Sequence, residues 1–346
     1  MINKIIFINL KNNKYTRTRN YYNGFLKLGI ECSWHDVAGF SELIDLYHEI
    51  KSFQNRPTVV VTSRSQLLSI YSFFLGYRVV LDAGLPLWDG VITSRRSFGF
   101  MGWGLIKVYS TDFLSFHLSK HIIFETSTQL PRVSKMFAVK KRKLSYVLLG
   151  LDENRFSLAS IDRETQVVKK SELNILFRGG NQVESGISIL IEASQILKDD
   201  KRFTFTLVTN NLELQMQTKN LKLVVGHVSD DLINDLLLSA DLILGQLLNH
   251  KRLDIAIPHK FYEAAFFSKP YLTADYGLMK ELVNKNLVFG FKAGDVQSFI
   301  KSLNVLFDKQ FELLSCGQRL GDWYKQNSSQ LILTTNFYNI VVTAKK

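Results

Sequence analysis

The chain has 346 residues, 46% of them hydrophobic, with a formal net charge of +12 at pH 7. This length leaves room for two domains, and the apolar share argues against a disordered chain. Its two cysteines, Cys32 and Cys316, are far apart in sequence, which argues against a disulfide framework and suits a reducing cytoplasm. No uncharged apolar run is long enough to predict a membrane-spanning helix. The positive charge favours anionic partners, namely nucleotide sugars, nucleic acid or anionic lipid headgroups.

The first elements predict a βαβ unit, with a strand over 4–9, a helix over 21–28 and a strand over 30–34. Ligands of such folds lie beyond the carboxyl ends of the strands, where Arg17 and Arg19 fall. These arginines are candidates for binding a phosphate of an acceptor, and solvated loop arginines are the alternative. The three-glycine dinucleotide fingerprint is absent from this unit, so no nicotinamide or flavin cofactor is predicted.

Asp82 is a further candidate in the first half of the chain. It ends the predicted strand 78–82 and precedes a loop that contains Gly84. A carboxylate at the carboxyl end of a parallel strand can reach a ligand. The alternative is that Asp82 caps the turn that follows it.

An aromatic and basic segment, residues 95–116, and a basic cluster, residues 140–143, indicate contact with a membrane interface or a lipid-carried acceptor. A core helix and a solvated turn are the alternative. His117 and His121 are four residues apart, but no glutamate adjoins His117 and no third ligand is evident. No metal site is therefore predicted.

In the second half, a predicted strand over 173–178 runs into Gly179 and Gly180, and a helix begins at Ile187. A strand, a glycine-containing loop and a helix N-terminus form a general phosphate-binding arrangement. Arg178 directly precedes the two glycines and is the nearby arginine that could hold a phosphate.

Residues 256–274 predict a loop, a short helix and a buried strand. Pro258 suits the first turn of that helix, where its missing N–H is not needed. Lys260 and Glu263 share one helical face. This pattern predicts that Lys260 holds an anion such as a diphosphate and that Glu263 accepts hydrogen bonds from sugar hydroxyls. An exposed Lys–Glu pair on an ordinary amphipathic helix is the alternative.

These motifs resemble, in this order, the donor-binding half of GT-B glycosyltransferases, and glycosyltransferase family 4 in particular. The resemblance is specific over about 173–295. The first motif is the pair of glycines that follows Arg178. Gly226 and Val228 then precede a polar helix cap, and Ala240-Asp241 follows. The last motifs are the spacing of Pro258, Lys260 and Glu263, the Lys269-Pro270 pair and the Gly294-Asp295 pair. One departure is that Ser185 stands where the family carries the lysine of a Lys-Gly pair that holds the diphosphate. Either Arg178 and Lys260 supply the charge by a shifted geometry, or the phosphate site is weakened.

The resemblance implies transfer of a sugar from a nucleotide-sugar donor with retention of configuration, with no metal and no further cofactor required. The implied donor-binding residues are Gly179, Gly180, Ser185, Gly226, Val228, Lys260, Glu263 and Gly277. Asp82, Arg178 and Lys260 are the predicted catalytic residues, and Arg17, Arg19 and Asp82 are the predicted acceptor contacts.

We therefore expect an α/β protein with the GT-B fold, in which two Rossmann-like, doubly wound domains face a central cleft. The expected acceptor-binding domain spans 1–156 and is completed by a C-terminal helix over about 323–346. A linker spans 157–172, and the nucleotide-sugar-binding domain spans 173–322.

The expected acceptor is a glycan or lipid-linked glycan of cell-surface polysaccharide synthesis, such as lipopolysaccharide or capsule. The expected location is cytoplasmic, with peripheral contact to the anionic inner face of the plasma membrane. The alternatives are a sugar-nucleotide epimerase and a non-catalytic binding or scaffold subunit. Nucleic acid is not an expected partner, because no recognised motif accompanies the positive charge.

Overall fold

The structure is a computed structural model that describes residues 4–13, 17–50, 58–95, 102–156, 169–180, 182–210, 218–226 and 228–345. The chain divides into two compact units, one formed by Met1–Gly150 with Ser329–Lys346 and the other by Leu151–Ser328. Strands and helices alternate along the chain, as the sequence predicts for an α/β protein.

The first unit contains a six-stranded parallel sheet. Its strands are β1 Ile5–Leu10, β2 Cys32–Val37, β3 Thr58–Val61, β4 Arg78–Gly84, β5 His121–Phe124 and β6 Leu144–Tyr146. Its helices are α1 Arg17–Lys27, α2 Phe40–Ile50, α3 Gln66–Phe74, α4 Leu87–Asp89, α5 Trp103–Leu118 and α6 Gln129–Met136. The strand order is β2-β1-β3-β4-β5-β6, and every pair is parallel.

The second unit contains the other sheet. Its strands are β7 Leu173–Arg178, β8 Phe203–Thr209, β9 Leu221–Val225, β10 Leu242–Leu244, β11 Tyr271–Ala274 and β12 Phe289–Phe291. Its helices are α7 Ile187–Ile196, α8 Asp230–Ser239, α9 His259–Phe266, α10 Leu278–Asn284, α11 Val296–Asp308 and α12 Gln310–Asn327. The last helix of the chain, α13 Gln330–Lys345, belongs to the first unit.

Short helical turns lie between these elements. They are the π-helical turn Gly90–Arg95 and the 3-10 turns Lys141–Lys143, Glu153–Arg155, Val183–Ser185 and Lys251–Asp254.

Helices cover both faces of the first sheet, which explains its continuous apolar strands. Val59 and Val61 pack on the same side as α2, α3, α5 and α6, whereas Val60 packs on the opposite side with α1 and α13. All three valines are fully buried. The side chains of each strand alternate between the two faces of the sheet because successive residues of a strand point in opposite directions.

The second sheet has the strand order β9-β8-β7-β10-β11-β12, again with parallel pairs. The chain moves outward from β7 to β9 and then returns to β10, which pairs with the other side of β7. The topological switch point therefore lies between β7 and β10. In open α/β sheets this is the position where ligands bind, outside the carboxyl ends of the strands.

The two units are divided after Gly150 and after Ser328. The segment 151–156 belongs to the second unit, where Arg155 pairs with Asp230 and the Tyr324 hydroxyl donates to Glu153 Oε1. Phe156 packs on Phe267 in the same unit. Residues 157–168 of the predicted linker lie outside the described residues.

Candidate functional site

Lys260 is the second residue of α9 and lies two residues after Pro258, which is at the N-cap position. Its ammonium group donates a hydrogen bond to the Gly245 carbonyl at 3.0 Å and lies 4.0 Å from the centre of the Phe177 ring. The side chain is buried, and this burial lowers the pKa of Lys260 to about 7, against an opposing effect of Glu263. A buried cation in this position gains stability when an anion arrives beside it.

Glu263 lies one turn further along α9 and faces Arg178, the last residue of β7. Arg178 Nη1 and Glu263 Oε1 are 2.9 Å apart, with 36% of the arginine side chain exposed and only 4% of the glutamate. Lys260 and Glu263 are both buried, so the alternative of an exposed Lys–Glu pair on a surface helix is wrong. The structure thus brings Arg178, Lys260 and Glu263 together.

These residues gather at the switch point of the second sheet. Arg178 ends β7, and Gly245, which accepts from Lys260, directly follows β10. Because β7 and β10 are paired, the end of β7 and the start of the loop after β10 are neighbours. Two cations and a carboxylate therefore lie at the edge where a doubly wound sheet binds its ligand.

The glycine loop lies directly against Lys260. A Cβ atom added to Gly179 would lie 2.8 Å from the Phe177 ring and 3.5 Å from Lys260 Nζ, so this position has no room for a rigid side chain. A Cβ on Gly180 would lie 2.9 Å from Gln182 Oε1. At position 179, therefore, only backbone lies beside the lysine.

Ser185, at the position of the resembled family's lysine, is buried. Its hydroxyl donates to Gln182 Oε1 at 3.4 Å, and its carbonyl accepts from the Leu247 amide at 3.3 Å. Gly186, which follows, has φ +66 and would place a Cβ 2.8 Å from Leu247 Cβ. The loop after β7 is thus fastened to the loop after β10, and Ser185 adds no charge to the site.

Four side chains that the sequence did not single out border the same loops. Glu184, in the turn Val183–Ser185, is buried, and its Oε1 lies 3.5 Å from Arg252 Nη1. His250 Nδ1 lies 3.9 Å from Glu184 Oε2. Gln246, next to Gly245, has a buried side-chain oxygen with no hydrogen-bond partner among the described residues. Oε2 of Glu184 is likewise buried and has no hydrogen-bond partner among them.

The remaining predicted donor residues have mainly backbone roles. Gly226, with φ +103, donates its amide to the Thr209 carbonyl at 3.0 Å, and Val228 is half-buried. Gly277 has φ +56, and a Cβ there would lie 2.4 Å from the Leu253 carbonyl oxygen. Gly277 therefore packs against the turn that carries Arg252, a fit that only glycine allows.

The predicted acceptor residues of the first unit lie at the carboxyl edge of its sheet. Asp82 is fully buried, and its two carboxylate oxygens accept from Arg17 Nε at 2.9 Å and from the Thr18 hydroxyl at 2.7 Å. Arg17 is also buried and donates to the Phe124 carbonyl at 3.1 Å. Arg19 is different, since 41% of its side chain is exposed and its guanidinium lies 3.7 Å from the centre of the Trp34 ring. The alternative of a solvated arginine thus fits Arg19 and is wrong for Arg17.

Within the described ranges, no group of three or more histidine, cysteine, aspartate or glutamate side chains could hold a metal ion. In the same part of the chain, no helix has both the length and the apolar content to span a membrane.

No protein-family model matches the chain, and no curated protein matches it by sequence. Its structure is nevertheless similar to solved structures over its whole length. HepE of Anabaena in complex with UDP has a TM-score of 0.68 at 13% identity, covering 98% of this chain and 100% of that one. A glycosyltransferase of Rickettsia africae has a TM-score of 0.68 at 12% identity, with 100% of both chains covered.

The catalytic domain of Starch Synthase IV from Arabidopsis thaliana, bound to ADP and acarbose, has a TM-score of 0.68 at 8% identity, with 99% of both chains covered. At such identities the similarity establishes the architecture. Together with the two parallel six-stranded sheets, it shows that this chain has the GT-B fold of glycosyltransferases.

Proposed function

We propose that the protein is a glycosyltransferase that moves a sugar from a nucleotide-sugar donor to a glycan or lipid-linked glycan acceptor. The observation that carries this proposal is the buried Lys260 beside the Arg178–Glu263 pair at the switch point of the second sheet. A doubly wound sheet binds nucleotides at this place. The similar GT-B structures were solved with UDP, UDP-glucose and ADP, which supports a nucleotide or nucleotide sugar as the ligand of this chain.

In the proposed reaction, Lys260 and Arg178 stabilise the negative charge that develops on the leaving diphosphate. Arg178 is partly exposed and can turn from Glu263 towards a phosphate. Glu263 then accepts hydrogen bonds from the ribose hydroxyls. These cations neutralise the leaving group without a metal.

We further propose retention of configuration. The donor's own phosphate serves as the base that takes the proton of the acceptor hydroxyl, so no protein nucleophile is required. The predicted roles of Asp82, Arg17 and Arg19 at the acceptor are part of this proposal. Because Asp82 and Arg17 are buried against each other, we expect them to shape the edge of the first sheet, and we expect Arg19 to face the acceptor.

A lipid-linked acceptor is supported by the outer face of α5. Trp103 is 85% exposed, and Ile106, Lys107 and Leu114 follow it on the same helical face, all exposed. Large apolar side chains directed outward are typical of a contact surface. Residues 96–101 of the aromatic segment lie outside the described residues.

A basic turn adjoins the C-terminal end of this helix. Lys143 donates hydrogen bonds to the carbonyls of Phe116 and His117 at 3.1 and 2.7 Å, which fastens the turn to α5. Lys141 and Arg142, in the same turn, are exposed. Exposed apolar groups along a helix, with exposed lysine and arginine at its C-terminal end, suit the surface of an anionic membrane. We propose that this surface brings the enzyme to the inner face of the plasma membrane, where surface polysaccharides are assembled on lipids.

A non-catalytic binding subunit is the second candidate, and it is favoured by Ser185, which leaves the glycine loop without its usual lysine. Such a protein binds a nucleotide but releases no diphosphate when an acceptor is added. An epimerase, the third candidate, converts a nucleotide sugar without any acceptor.

The proposal is tested by thermal stabilisation of the protein with UDP, ADP, GDP and their nucleotide sugars. We expect one nucleotide to raise the melting temperature of the wild type, and the Lys260→Ala and Glu263→Ala variants to lose this effect. The variants Lys280→Ala and Glu281→Ala, at exposed positions of α10, are matched controls that should keep it. A wild type that no nucleotide stabilises would contradict the proposed function.

A further inference from the structure

Two buried side-chain oxygen atoms in the loops that follow β7 and β10 accept no hydrogen bond from any described residue. They are Oε2 of Glu184 and Oε1 of Gln246. Buried acceptors without a donor are rare in proteins and call for an explanation, such as a ligand that is bound during function. Leaving such a group without a partner lowers stability.

Both atoms belong to the loops that form the switch point. Glu184 follows β7 and Gln246 follows β10, and the bond between the Leu247 amide and the Ser185 carbonyl joins these loops. Gln246 adjoins Gly245, whose carbonyl binds Lys260. Glu184 is also an electrostatic neighbour of Lys260, because its charge acts to raise the pKa of the lysine.

Donor groups border the same place. Arg252 pairs with Glu184, so the two charges largely cancel. Nδ1 of His250 accepts a hydrogen bond from the Arg252 amide at 3.3 Å, so the proton of a neutral His250 is on Nε2. The cluster of Glu184, Gln246, His250 and Arg252 thus carries both donors and acceptors and little net charge.

This chemistry suits hydroxyl groups better than phosphates. A phosphate at neutral pH offers acceptors only, and the Glu184 carboxylate, which is also acceptor-only, would repel it. A sugar hydroxyl both donates and accepts, so it can donate to these oxygens and accept from Arg252. We propose that this cluster is the subsite for the hydroxyls of the transferred sugar, beside the diphosphate site of Arg178 and Lys260.

This inference rests on the proposed function, because it assumes a nucleotide-sugar donor. Its test compares the affinities of each variant for a nucleoside diphosphate and for the corresponding nucleotide sugar, measured by isothermal titration calorimetry. The probes are UDP, ADP and GDP, with UDP-glucose, UDP-N-acetylglucosamine, ADP-glucose and GDP-mannose. The variants are Glu184→Gln, which removes a charged acceptor, and Gln246→Ala, with Glu192→Gln and Gln195→Ala as matched controls at exposed positions of α7.

We expect Glu184→Gln and Gln246→Ala to weaken binding of the nucleotide sugar by about tenfold more than binding of the diphosphate. For Gln246→Ala, which changes no charge, the diphosphate affinity should stay within about twofold of wild type. The retained binding of the diphosphate also shows that the variants are folded. Equal losses for both ligands, or no loss for either, would overturn the subsite. A wild type that binds no nucleotide would overturn the proposed function and the subsite with it.

Discussion

The Arg178 guanidinium lies 2.9 Å from the Glu263 carboxylate, joining the end of β7 to the helix that follows β10. Arg178 is the more exposed partner, so it can exchange this carboxylate for a phosphate while Glu263 stays in place. The pair thus holds the arginine near the proposed diphosphate site before a ligand arrives.

The first prediction concerns this exchange. Replacing Arg178 with Gln should weaken binding of the nucleoside diphosphate by about tenfold to a hundredfold, because a charge-assisted hydrogen bond to phosphate is lost. Binding of the nucleoside without phosphates should change little. Titration calorimetry with both ligands measures the difference. Arg132→Gln, which breaks a similarly exposed ion pair with Asp89 in the first unit, is the control and should leave both affinities unchanged.

The second prediction is a pH dependence of donor binding. The pKa of Lys260 is about 7 in the unliganded protein because of burial, and a bound diphosphate should raise it by attraction. Binding therefore takes up a proton above pH 7, and affinity for the nucleotide sugar should fall as the pH rises from 7 to 9. A nucleotide sugar is the suitable ligand, because its diphosphate does not titrate in this range.

Lys260→Arg is the control for this experiment, since arginine keeps its charge across the range. Its affinity, whatever the absolute value, should vary less with pH than that of the wild type. A wild-type affinity that is constant from pH 7 to 9 would contradict the role of Lys260.

The third prediction concerns the stability of the unliganded protein. A cation whose pKa is lowered by folding destabilises the folded state below that pKa, and this penalty is relieved as the pH rises towards 10.5, the ordinary value for lysine. Lys260→Met removes the titrating group. The variant should therefore gain most in melting temperature, on the order of a few °C, at pH 6 to 7, and this gain should shrink towards pH 9.

Differential scanning calorimetry of wild type and Lys260→Met over this range checks the prediction. A gain in melting temperature that grows with pH would contradict a lowered pKa of Lys260 in the folded protein. Lys280→Met, at an exposed position, should have no such pH-dependent effect.

The fourth prediction concerns the ion pair between Arg17 and Asp82. Asp82→Ala should destabilise the protein by about 3–5 kcal/mol, because a buried guanidinium is left without its partner. The double variant Arg17→Met/Asp82→Leu should lose less than the sum of the two single changes. Urea unfolding measures these effects, and Asp322→Asn, in an exposed pair with Lys325, should change stability by less than about 1 kcal/mol. If Asp82→Ala left the free energy of unfolding unchanged but abolished sugar transfer, this would instead show that Asp82 contacts the acceptor directly.

The fifth prediction concerns the outer face of α5. On vesicles that contain anionic phosphatidylglycerol, Trp103 fluorescence should shift to shorter wavelength, and the Lys141→Glu/Arg142→Glu variant should bind these vesicles more weakly. Trp103→Phe should still bind but lose most of the shift, which assigns the signal to this residue. Equal binding to neutral and anionic vesicles would contradict an electrostatic contact.

Local motifs made part of the site predictable from the sequence. Lys260 and Glu263 are separated by less than one helical turn, so a single helix places them together, and Arg178 was recognisable because it ends a strand before two glycines. The alternation of strands and helices likewise predicted the α/β class.

Other contacts depend on strand order, which the sequence does not display. Glu184 and Arg252 are distant in sequence and meet because β7 and β10 are neighbours. The same limit applies to Arg17 and Asp82. Each was predicted at a carboxyl end of the first sheet, but only the arrangement of the strands shows that they bind each other.

The most direct test of the central claim is a crystal structure of the protein with the nucleoside diphosphate that stabilises it. We predict phosphate oxygens within hydrogen-bond distance of Lys260 Nζ and the Arg178 guanidinium, with the ribose hydroxyls at Glu263. A nucleotide bound elsewhere, with Arg178 still paired to Glu263 and no phosphate at Lys260, would contradict the account.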